Sequence, residues 1–413
     1  MTARTDTIAF PAARRGVIMG EEKNYVVVTV SGRDRPGITA AFARILIDHG
    51  VEIADIDQAT LQDFLALTLL LELNGGDAEK DSVLKDLLFE ANRLDMVLNF
   101  QLLSERELRL RKEKNLFVLT FFGGTRALAE IAHTLADATA NIEKISNLAR
   151  GGSDCIELTI NVRQVGSLSE LKEQIMTVSH GLGVDVAFQK LEAYRKGKRL
   201  IFFDMDDTLV DGEIIDEIAR AAGVYREVSR VTEKAMRGEV DFEDALRQRV
   251  ALLKGLPIKE LERIRDEMRI SEGADRLVDT LRKLGYRMGV VSGGFRFFAD
   301  YLAETLGLDF AYANVLETKD GVLTGRLTGE VIDGAGKARI VNTVADEMGI
   351  MLDQTVAIGD GINDSLMLGQ AGLGIAYNAK EGLAQVASAK LGRTRLINIL
   401  RILGITEDDI SPT

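Results

Sequence analysis

From Leu200 to Thr208 the chain reads Leu-Ile-Phe-Phe-Asp-Met-Asp-Asp-Thr. Four apolar residues followed at once by acids predict a buried strand that ends at a polar site. Asp204 and Asp206 are two apart, so in extended chain both side chains face the same way. Two carboxylates ~5 Å apart repel by roughly 3 kcal/mol at an effective dielectric of ~20. This crowding indicates a bound cation, although a solvated acidic turn would explain the same stretch taken alone.

Short apolar runs after this strand alternate with helical periodicity, which predicts a mostly parallel sheet. The predicted strands are Leu200–Phe203, Met288–Val291, Thr355–Ile358 and Leu373–Ala376. Residues Ile214 to about Met268 show only helical patterns and are expected to cover the sheet as a cap. Val315–Gly329 is typical of a hairpin flap. The predicted fold class for this half is α/β, with a Rossmann-like parallel sheet and a helical cap.

Three further polar motifs fall at or just past strand ends, where ligands of such sheets bind. Ser292, Gly293 and Gly294 offer a hydroxyl and exposed N–H groups to a phosphate. Lys337 opens a helix and supplies one compact positive charge. Asp360 lies in the run Gly-Asp-Gly-Ile-Asn-Asp and suits an oxygen-only magnesium site. Each of these motifs alone also fits an ordinary turn or a solvated lysine.

The residue composition limits the catalytic mechanisms that the chain can use. The three histidines and the single cysteine, Cys155, all precede Leu200. The chain from Leu200 onward therefore cannot use a Ser-His-Asp triad, a cysteine nucleophile or a His-ligated metal. The net charge of −13 argues against nucleic acid as a partner, and no apolar run reaches the ~18 residues that span a membrane. The lone cysteine fits a reducing cytoplasm.

The four motifs stand in the order found in haloacid-dehalogenase-type phosphatases, which the chain resembles from Leu200 to about Gly404. The resemblance implies that Asp204 becomes an aspartyl phosphate and that Asp206 acts as acid and then base. It implies Mg²⁺ as cofactor, held by Asp204, Asp360 and the backbone carbonyl of Asp206. Ser292 and Lys337 would hold the phosphoryl oxygens. The remaining residues that it implies for the site are Gly293, Gly294 and Asn363 beside the substrate, and Thr208 and Asp364 around the metal's ligands.

A closer resemblance, to phosphoserine phosphatases, rests on three stretches: Thr208 to Ala219, Lys234 to Phe242 and Leu246 to Val250. It implies that Glu213 pairs with the ammonium group of L-phosphoserine and that Arg249 binds its carboxylate. Met236 and Phe242 would line the pocket and help to exclude water. For Glu213 or Arg249 taken singly, a surface ion pair is the ordinary explanation.

Two stretches before Leu200 repeat one order of elements. The first is predicted as strand Tyr25–Val30, a helix to about His49, strands Val51–Leu61 and Phe64–Leu73, helix Glu79–Leu94 and strand Val97–Leu103. The second is predicted as strand Leu116–Phe122, helix Ala127–Ala138, strands Ile142–Ala149 and Cys155–Val162, helix Ser167–Leu182 and strand Val184–Lys190. Each unit is therefore expected to be ferredoxin-like, β-α-β-β-α-β.

This pair resembles tandem ACT domains, which bind amino acids in regulated enzymes. The turn from Asp34 to Gly37 is where that family usually binds its ligand, because a helix N-terminus offers N–H groups to a carboxylate. The resemblance implies L-serine as a regulator at Asp34 and Gly37, and a homodimer formed through the ACT domains. The second unit has Gly123-Gly124 at the matching place. A structural pair without a ligand is the alternative.

The expected domain limits are a disordered lead-in at 1–22, ACT domains at 23–104 and 115–193, and the phosphatase at 200–413 with its cap at about 214–270. The predicted function is hydrolysis of L-phosphoserine to L-serine and phosphate, the last step of serine biosynthesis. Phosphothreonine, another phosphorylated metabolite or a phosphoprotein are alternative substrates. A non-enzymatic sensor or phospho-receiver module is the alternative class. Receiver modules lack a second acid two residues after the phosphorylated Asp, where this chain has Asp206, and they usually lack a helical cap. Asp207 stands where many relatives have Ser.

Overall fold

The computed structural model describes residues 24–73, 77–105, 107–108, 114–148, 155–192, 195, 197–379, 382–392 and 395–406. The chain divides into two compact units, residues 1–114 and 115–413. The predicted lead-in at 1–22 lies outside the described residues. So do most of the charged linker expected at Glu105–Lys114 and part of a second linker expected at Tyr194–Arg199.

The first unit has the predicted β-α-β-β-α-β order. Its sheet runs β2-β3-β1-β4 with antiparallel neighbours. Alternate residues of the third strand, from Leu65 to Leu73, are buried against the two helices, because successive side chains of a strand point to opposite faces. The elements are β1 Asn24–Arg33, α1 Ile38–Asp48, β2 Glu52–Leu61, β3 Phe64–Leu73, α2 Asp77–Arg93 and β4 Val97–Ser104.

The second unit begins with a repeat of this arrangement, as the sequence predicts. Strand β5 pairs antiparallel with both β7 and β8. The helices bury Ile131, Leu135, Leu171 and Ile175 against the sheet. The elements are β5 Leu116–Phe122, α3 Thr125–Asp137, β6 Asn141–Asn147, β7 Cys155–Asn161, α4 Leu168–Leu182 and β8 Val186–Lys190.

The rest of the second unit is the predicted parallel α/β core. Strand β9 is buried on both faces between β10 and β13, as the central strands of parallel sheets are. The elements are β9 Leu200–Phe203, α5 Ile214–Ala221, α6 Tyr225–Met236, α7 Phe242–Leu252, α8 Ile258–Glu267, α9 Ala274–Lys283, β10 Arg287–Phe295, α10 Arg296–Leu306, β11 Phe310–Lys319, β12 Val322–Thr328, α11 Gly334–Glu347, β13 Thr355–Gly359, α12 Ser365–Gln370, β14 Leu373–Tyr377, α13 Leu383–Val386, β15 Ala389–Leu391 and α14 Ile399–Ile402.

The cap consists of helices α5 to α8, and the hairpin of β11 and β12 holds it by backbone hydrogen bonds. Gly255 N donates to Leu323 O over 2.8 Å, and Leu323 N donates to Leu256 O over 2.9 Å. The two ends of the cap are also tied together, because Asp211 N donates to Arg269 O over 2.9 Å. The predicted flap is therefore a brace between the sheet and the cap.

One continuous sheet joins the second β-α-β-β-α-β module to the parallel core, which the sequence analysis did not predict. Among the described strands its order is β12-β11-β10-β9-β13-β14-β15-β8-β5-β7-β6. At the junction β15 pairs antiparallel with β8, with Ala389 opposite Ala187 and Lys390 opposite Val186. The Gln189 amide nitrogen also donates to the carbonyl of Ile402 over 3.1 Å. In the described part of the chain, no helix combines the length and apolar character needed to cross a bilayer.

Candidate active site

The predicted acidic strand end lies at the carboxyl edge of the parallel core. Asp204 directly follows β9 and is 4% exposed. Its backbone N–H donates to Ile358 O over 2.8 Å, so the neighbouring strand β13 fixes its position. The carboxylate of Asp206 accepts a hydrogen bond from Ile214 N over 2.9 Å, at the start of the cap. One acid is thus fixed by the core and the other by the entry to the cap.

Lys337 lies fully buried between two acids. Its Nζ donates to Asp204 Oδ1 over 2.7 Å and to Asp364 Oδ1 over 2.6 Å. Burial alone would lower the pKa of Lys337, but the two carboxylates raise it above its usual value. Burial, and then the charge of Asp364, raise the pKa of Asp204, whereas Lys337 lowers it. The ammonium group thus stays charged and partly neutralises the acids around it.

Asp204, Asp360 and Asp364 form a buried carboxylate cluster. One oxygen of each lies within 4.8 Å of the others. Oxygen-only ligand sets suit hard divalent cations such as Mg²⁺, so these residues fit the predicted metal. The cluster includes Asp364, which the sequence analysis placed around the ligands rather than among them. The prediction for Asp206 concerned its backbone carbonyl, which this cluster of side-chain oxygens does not test.

Two glycines give the acids their space. A Cβ atom on Gly359 would lie 2.3 Å from Asp364 Oδ2, and one on Gly294 would lie 2.9 Å from Asp206 Oδ2. Both distances are shorter than any van der Waals contact, so a larger residue would displace the carboxylates. Burial, followed by the charge of Glu213, raises the pKa of Asp206 to about 7. A carboxyl group in that range can both give and accept a proton near neutral pH.

The predicted phosphate-binding motif is ordered by Asn314, a residue that was not predicted from the sequence. Ser292 is buried at the end of β10, and its Oγ accepts from Gly294 N over 2.8 Å. Asn314, 2% exposed, donates to Gly293 O over 2.9 Å and accepts from Ile332 N over 2.8 Å. Asn314 therefore ties the serine loop to the segment that leads to Lys337. The available signal was a polar residue in the apolar run of β11.

The core residues and the cap residues share one cavity of about 630 Å³. Its volume is in the ordinary range for sites that bind small molecules. On the cap side, Arg249 is half-buried, and burial lowers its pKa while Glu213 and Asp216 oppose that shift. The predicted residues that line the cavity are Asp204, Asp206, Glu213, Met236, Phe242, Arg249, Ser292, Gly293, Gly294, Lys337, Asp360 and Asn363.

Some predicted residues lie apart from this cavity or differ in exposure. Thr208 and Asp364 are fully buried and do not line it. Met236 lines it but is 78% exposed, so in this structure its side chain lies at the mouth and does not shield the interior from water. Asp207 has a left-handed φ of 50°, and its carboxylate accepts from Gly212 N over 3.0 Å. The additional carboxylate of Asp207 is therefore hydrogen-bonded within its own turn.

The turn from Asp34 to Gly37 lies between β1 and α1 of the first unit. Gly37 has a φ of 98°, in the left-handed region that favours glycine, and stands at the N-terminus of α1. Asp34 is exposed, and its N–H donates to Asp63 O over 2.7 Å. The turn thus presents an acid and a helix start on the surface of this unit.

Comparisons with known proteins agree with these features. Residues 198–372 match the family of haloacid dehalogenase-like hydrolases, and residues 24–101 and 119–189 match ACT domains. The chain is 38% identical to the phosphoserine phosphatase of Mycobacterium tuberculosis, over 94% of this chain and 95% of that protein. It is 38% identical to that of Streptomyces coelicolor, over 93% of each.

A solved structure is similar as well. The unliganded probable phosphoserine phosphatase of Vibrio cholerae superposes with a TM-score of 0.55 at 32% identity, covering 70% of this chain and 86% of that one. The predicted fold class, two ACT domains ahead of an α/β hydrolase core, is confirmed. The full-length similarity to two named enzymes and the match of all three domains lead to one conclusion: this chain belongs to the phosphoserine phosphatase family.

Proposed function

We propose that the chain hydrolyses L-phosphoserine to L-serine and phosphate, with Asp204 as the nucleophile. The observation that carries the proposal is the shared cavity. It joins the phosphate-binding residues Asp204, Ser292 and Lys337 of the core to two opposite charges, Glu213 and Arg249, on the cap. A phosphorylated amino acid carries the three matching groups: a phosphate, an ammonium and a carboxylate.

In the first step a carboxylate oxygen of Asp204 attacks phosphorus, and the bond from phosphorus to the serine oxygen breaks. Asp206 gives its proton to that leaving oxygen. In the second step water attacks phosphorus, Asp206 takes up the water's proton, and the bond to Asp204 breaks. Lys337 and Ser292 bind the phosphoryl oxygens and stabilise the charge that develops there. Both acids are restored at the end of the cycle.

Mg²⁺ is the proposed cofactor, bound by Asp204, Asp360 and the backbone carbonyl of Asp206, with Asp364 and Asn363 next to them. A magnesium ion there would neutralise negative charge on the phosphate and on the acids. The support is the cluster of Asp204, Asp360 and Asp364, whose oxygens lie within 4.8 Å of one another. Thr208 is buried in the turn that carries the acids, and its backbone N–H donates to Met205 O over 3.3 Å.

Substrate choice follows from the cap. Glu213 would pair with the ammonium group, and Arg249 would bind the carboxylate through two parallel N–H donors. Phe242 closes one wall against Gly293, where an added Cβ would lie 3.0 Å from the ring. Met236 flanks the mouth. A phosphate ester without the amino-acid group would lose both charged contacts and bind less tightly.

The test is phosphate release from L-phosphoserine by the full chain, with Mg²⁺ and with excess chelator. Wild type should be active only with the metal, and Asp204→Asn should be inactive. Arg249→Gln should raise KM for L-phosphoserine and leave the turnover of phenyl phosphate unchanged. Equal kcat/KM for phosphothreonine, or full activity in chelator, would overturn the substrate or the metal respectively.

L-serine is the proposed regulator, bound at Asp34 and Gly37 of the first ACT domain in a homodimer. The support is the exposed turn at the start of α1, whose N–H groups can bind a carboxylate. The proposed domain limits are 23–104, 115–193 and 200–413, with the cap at about 214–270. A melting temperature and an activity that serine leaves unchanged would overturn this regulation. Sedimentation of a monomer at working concentration would overturn the dimer.

A further inference from the structure

A second cavity, of about 330 Å³, lies between the second ACT domain and the hydrolase core. None of its described lining residues lines the active-site cavity. It lies beside the strand pair β8 and β15 that joins the two domains into one sheet. The lining residues come from both sides, so an occupant would contact both domains at once. Examples are Leu168, Lys172 and Phe188 from the ACT side and Gly372 and Ser388 from the core.

The charge of this cavity is opposite to that of the whole chain. Its described lining residues include four cations, Lys172, Lys190, Arg195 and Lys198, and one acid, Glu192. The chain carries a net charge of −13, so this concentration of positive charge is not a general property of the surface. Lys190 pairs with Glu192 over 2.7 Å and is exposed. Three cations remain to be accounted for.

Two of them, Lys172 and Lys198, donate to neutral groups. Lys172 Nζ donates to the carbonyl of Ala387 over 2.9 Å, and Lys198 Nζ donates to the carbonyl of Asp353. Burial lowers the pKa of both lysines, while the carboxylates of Asp353 and Glu192 oppose that shift at Lys198. Among the described residues Lys172 has no such acid acting on it, so an anion in the cavity would compensate its charge most.

Arg195 supplies an unused donor. It is 6% exposed, and its terminal nitrogen pairs with Glu157. Its Nε–H is buried and has no acceptor in the described part of the structure. An unsatisfied buried donor destabilises the fold, so an oxygen atom that reached Nε–H would be stabilised there. Leu168 and Ser169, in the first turn of α4, line the same cavity, and Ser167 caps that turn by accepting from Glu170 N.

We propose that this cavity binds a phosphate group, as free orthophosphate or as a small phosphate ester, through Lys172, Arg195 and Lys198. A phosphate dianion matches two ammonium groups and one N–H donor better than a carboxylate with one charge does. The lining also includes the stacked rings of Phe117 and Phe188, whose centroids are 5.1 Å apart. These rings give an ester a place for an apolar group. The bound phosphate contacts both domains and stabilises their junction.

The experiment is equilibrium dialysis of labelled orthophosphate against the full chain, with phenylphosphonate as a second, non-hydrolysable probe. We expect two equivalents of phosphate per wild-type chain, one at Asp204 and one at the junction. Lys172→Gln and Ser169→Asp should each bind one equivalent fewer than wild type. Arg126→Gln, the same charge change at an exposed position of the same domain, should bind as wild type does. Tighter binding of phenylphosphonate at the junction would identify an ester, and tighter binding of orthophosphate the free ion.

Ser169→Asp separates binding from folding. An acid in the first turn of a helix stabilises that helix, yet it repels an anion from the cavity that Ser169 lines. Both variants should keep the wild-type turnover of L-phosphoserine, since neither residue lies in the active-site cavity. If either variant keeps the wild-type phosphate stoichiometry, the proposal is overturned. The loss of one equivalent is measured relative to wild type, so it is informative whether or not Asp204 is the nucleophile.

Discussion

The ring of Phe242 lies directly against the backbone of Gly293, where a Cβ atom would come within 3.0 Å of ring carbon Cζ. This contact joins the first residue of cap helix α7 to the phosphate-binding loop of the core. Any side chain at position 293 must therefore move the ring, the loop or the cap. The position of the cap over the site depends on a glycine in the loop beneath it.

Gly293→Ala should lower kcat/KM for L-phosphoserine by about tenfold, because small displacements of catalytic groups cost large factors in rate. Phe242→Ala removes the ring carbon that the added methyl group would contact, and it should lower kcat/KM by a smaller factor. The double variant should then be more active than Gly293→Ala alone. Steady-state kinetics of the four proteins tests the contact, and a double variant that is merely as slow as the product of the two singles would refute it.

Lys337→Met should destabilise the hydrolase core by about 3 kcal/mol in chelator, because it leaves two buried carboxylates without their cation. The measurement is urea unfolding, compared with wild type. Lys283→Met removes a lysine whose partner Asp279 is on the surface, and it should change stability by less than about 0.5 kcal/mol. Equal losses of stability in the two variants would show that the buried hydrogen bonds of Lys337 stabilise the fold no more than a surface ion pair does.

Asn314→Ala should cost about 1–3 kcal/mol in stability, because Gly293 O and Ile332 N lose their partner. It should also lower kcat more than it raises KM, since the serine loop and the Lys337 segment lose their connection. Kinetics and urea unfolding together check this. Asn92→Ala, at an exposed amide that bonds to its own helix, serves as the control. An unchanged kcat would show that Asn314 only stabilises the fold.

Mg²⁺ should raise the melting temperature of wild type, because a ligand that binds only the folded state stabilises it. Asp360→Asn should lose this increase, since the carboxylate cluster loses one of its acids. Asp346→Asn, an exposed position on helix α11, should keep it. Differential scanning fluorimetry with and without the metal makes the comparison. An increase of wild-type size in Asp360→Asn would place the metal elsewhere.

Cys155 should react with iodoacetamide on the order of 10³-fold more slowly in the folded chain than in urea at pH 8, because only the thiolate reacts. The thiol is 2% exposed, and burial raises its pKa to about 12. Above about pH 8.5 the unfolded chain loses a proton that the folded chain keeps, so this group lowers the free energy of unfolding as pH rises. Rapid labelling of the folded chain at pH 8 would contradict the prediction.

Much of the site could be predicted from sequence because its polar residues belong to short local motifs at strand ends. Asp204, Ser292 and Asp360 follow apolar runs whose order along the sheet brings them together, and Lys337 opens a helix beside them. Asn314 escaped this reasoning since it is a single amide within a strand, with no charge pattern around it. The exposure of Met236 also could not be read from spacing, because it depends on how the cap lies over the core.

The junction between β8 and β15 illustrates a different limit. β15 contains three residues, Ala389 to Leu391, and so few residues carry no recognisable periodicity. Its pairing with β8 is decided by which edge is free when the two domains meet. The pairing therefore depends on long-range contacts such as the one between Gln189 and Ile402, which are more than two hundred residues apart in the chain.

The shared sheet also bears on what happens when the chain is shortened. Removing everything before Leu200 would take β8 away from β15 and leave the outer N–H and C=O groups of Ala389–Leu391 without their strand partner. Long bare edges recruit strands from other molecules, but short edges that carry a lysine resist such pairing. Because β15 has three residues with Lys390 at its centre, a fragment that begins at Leu200 should stay in solution while it loses the contacts of the junction.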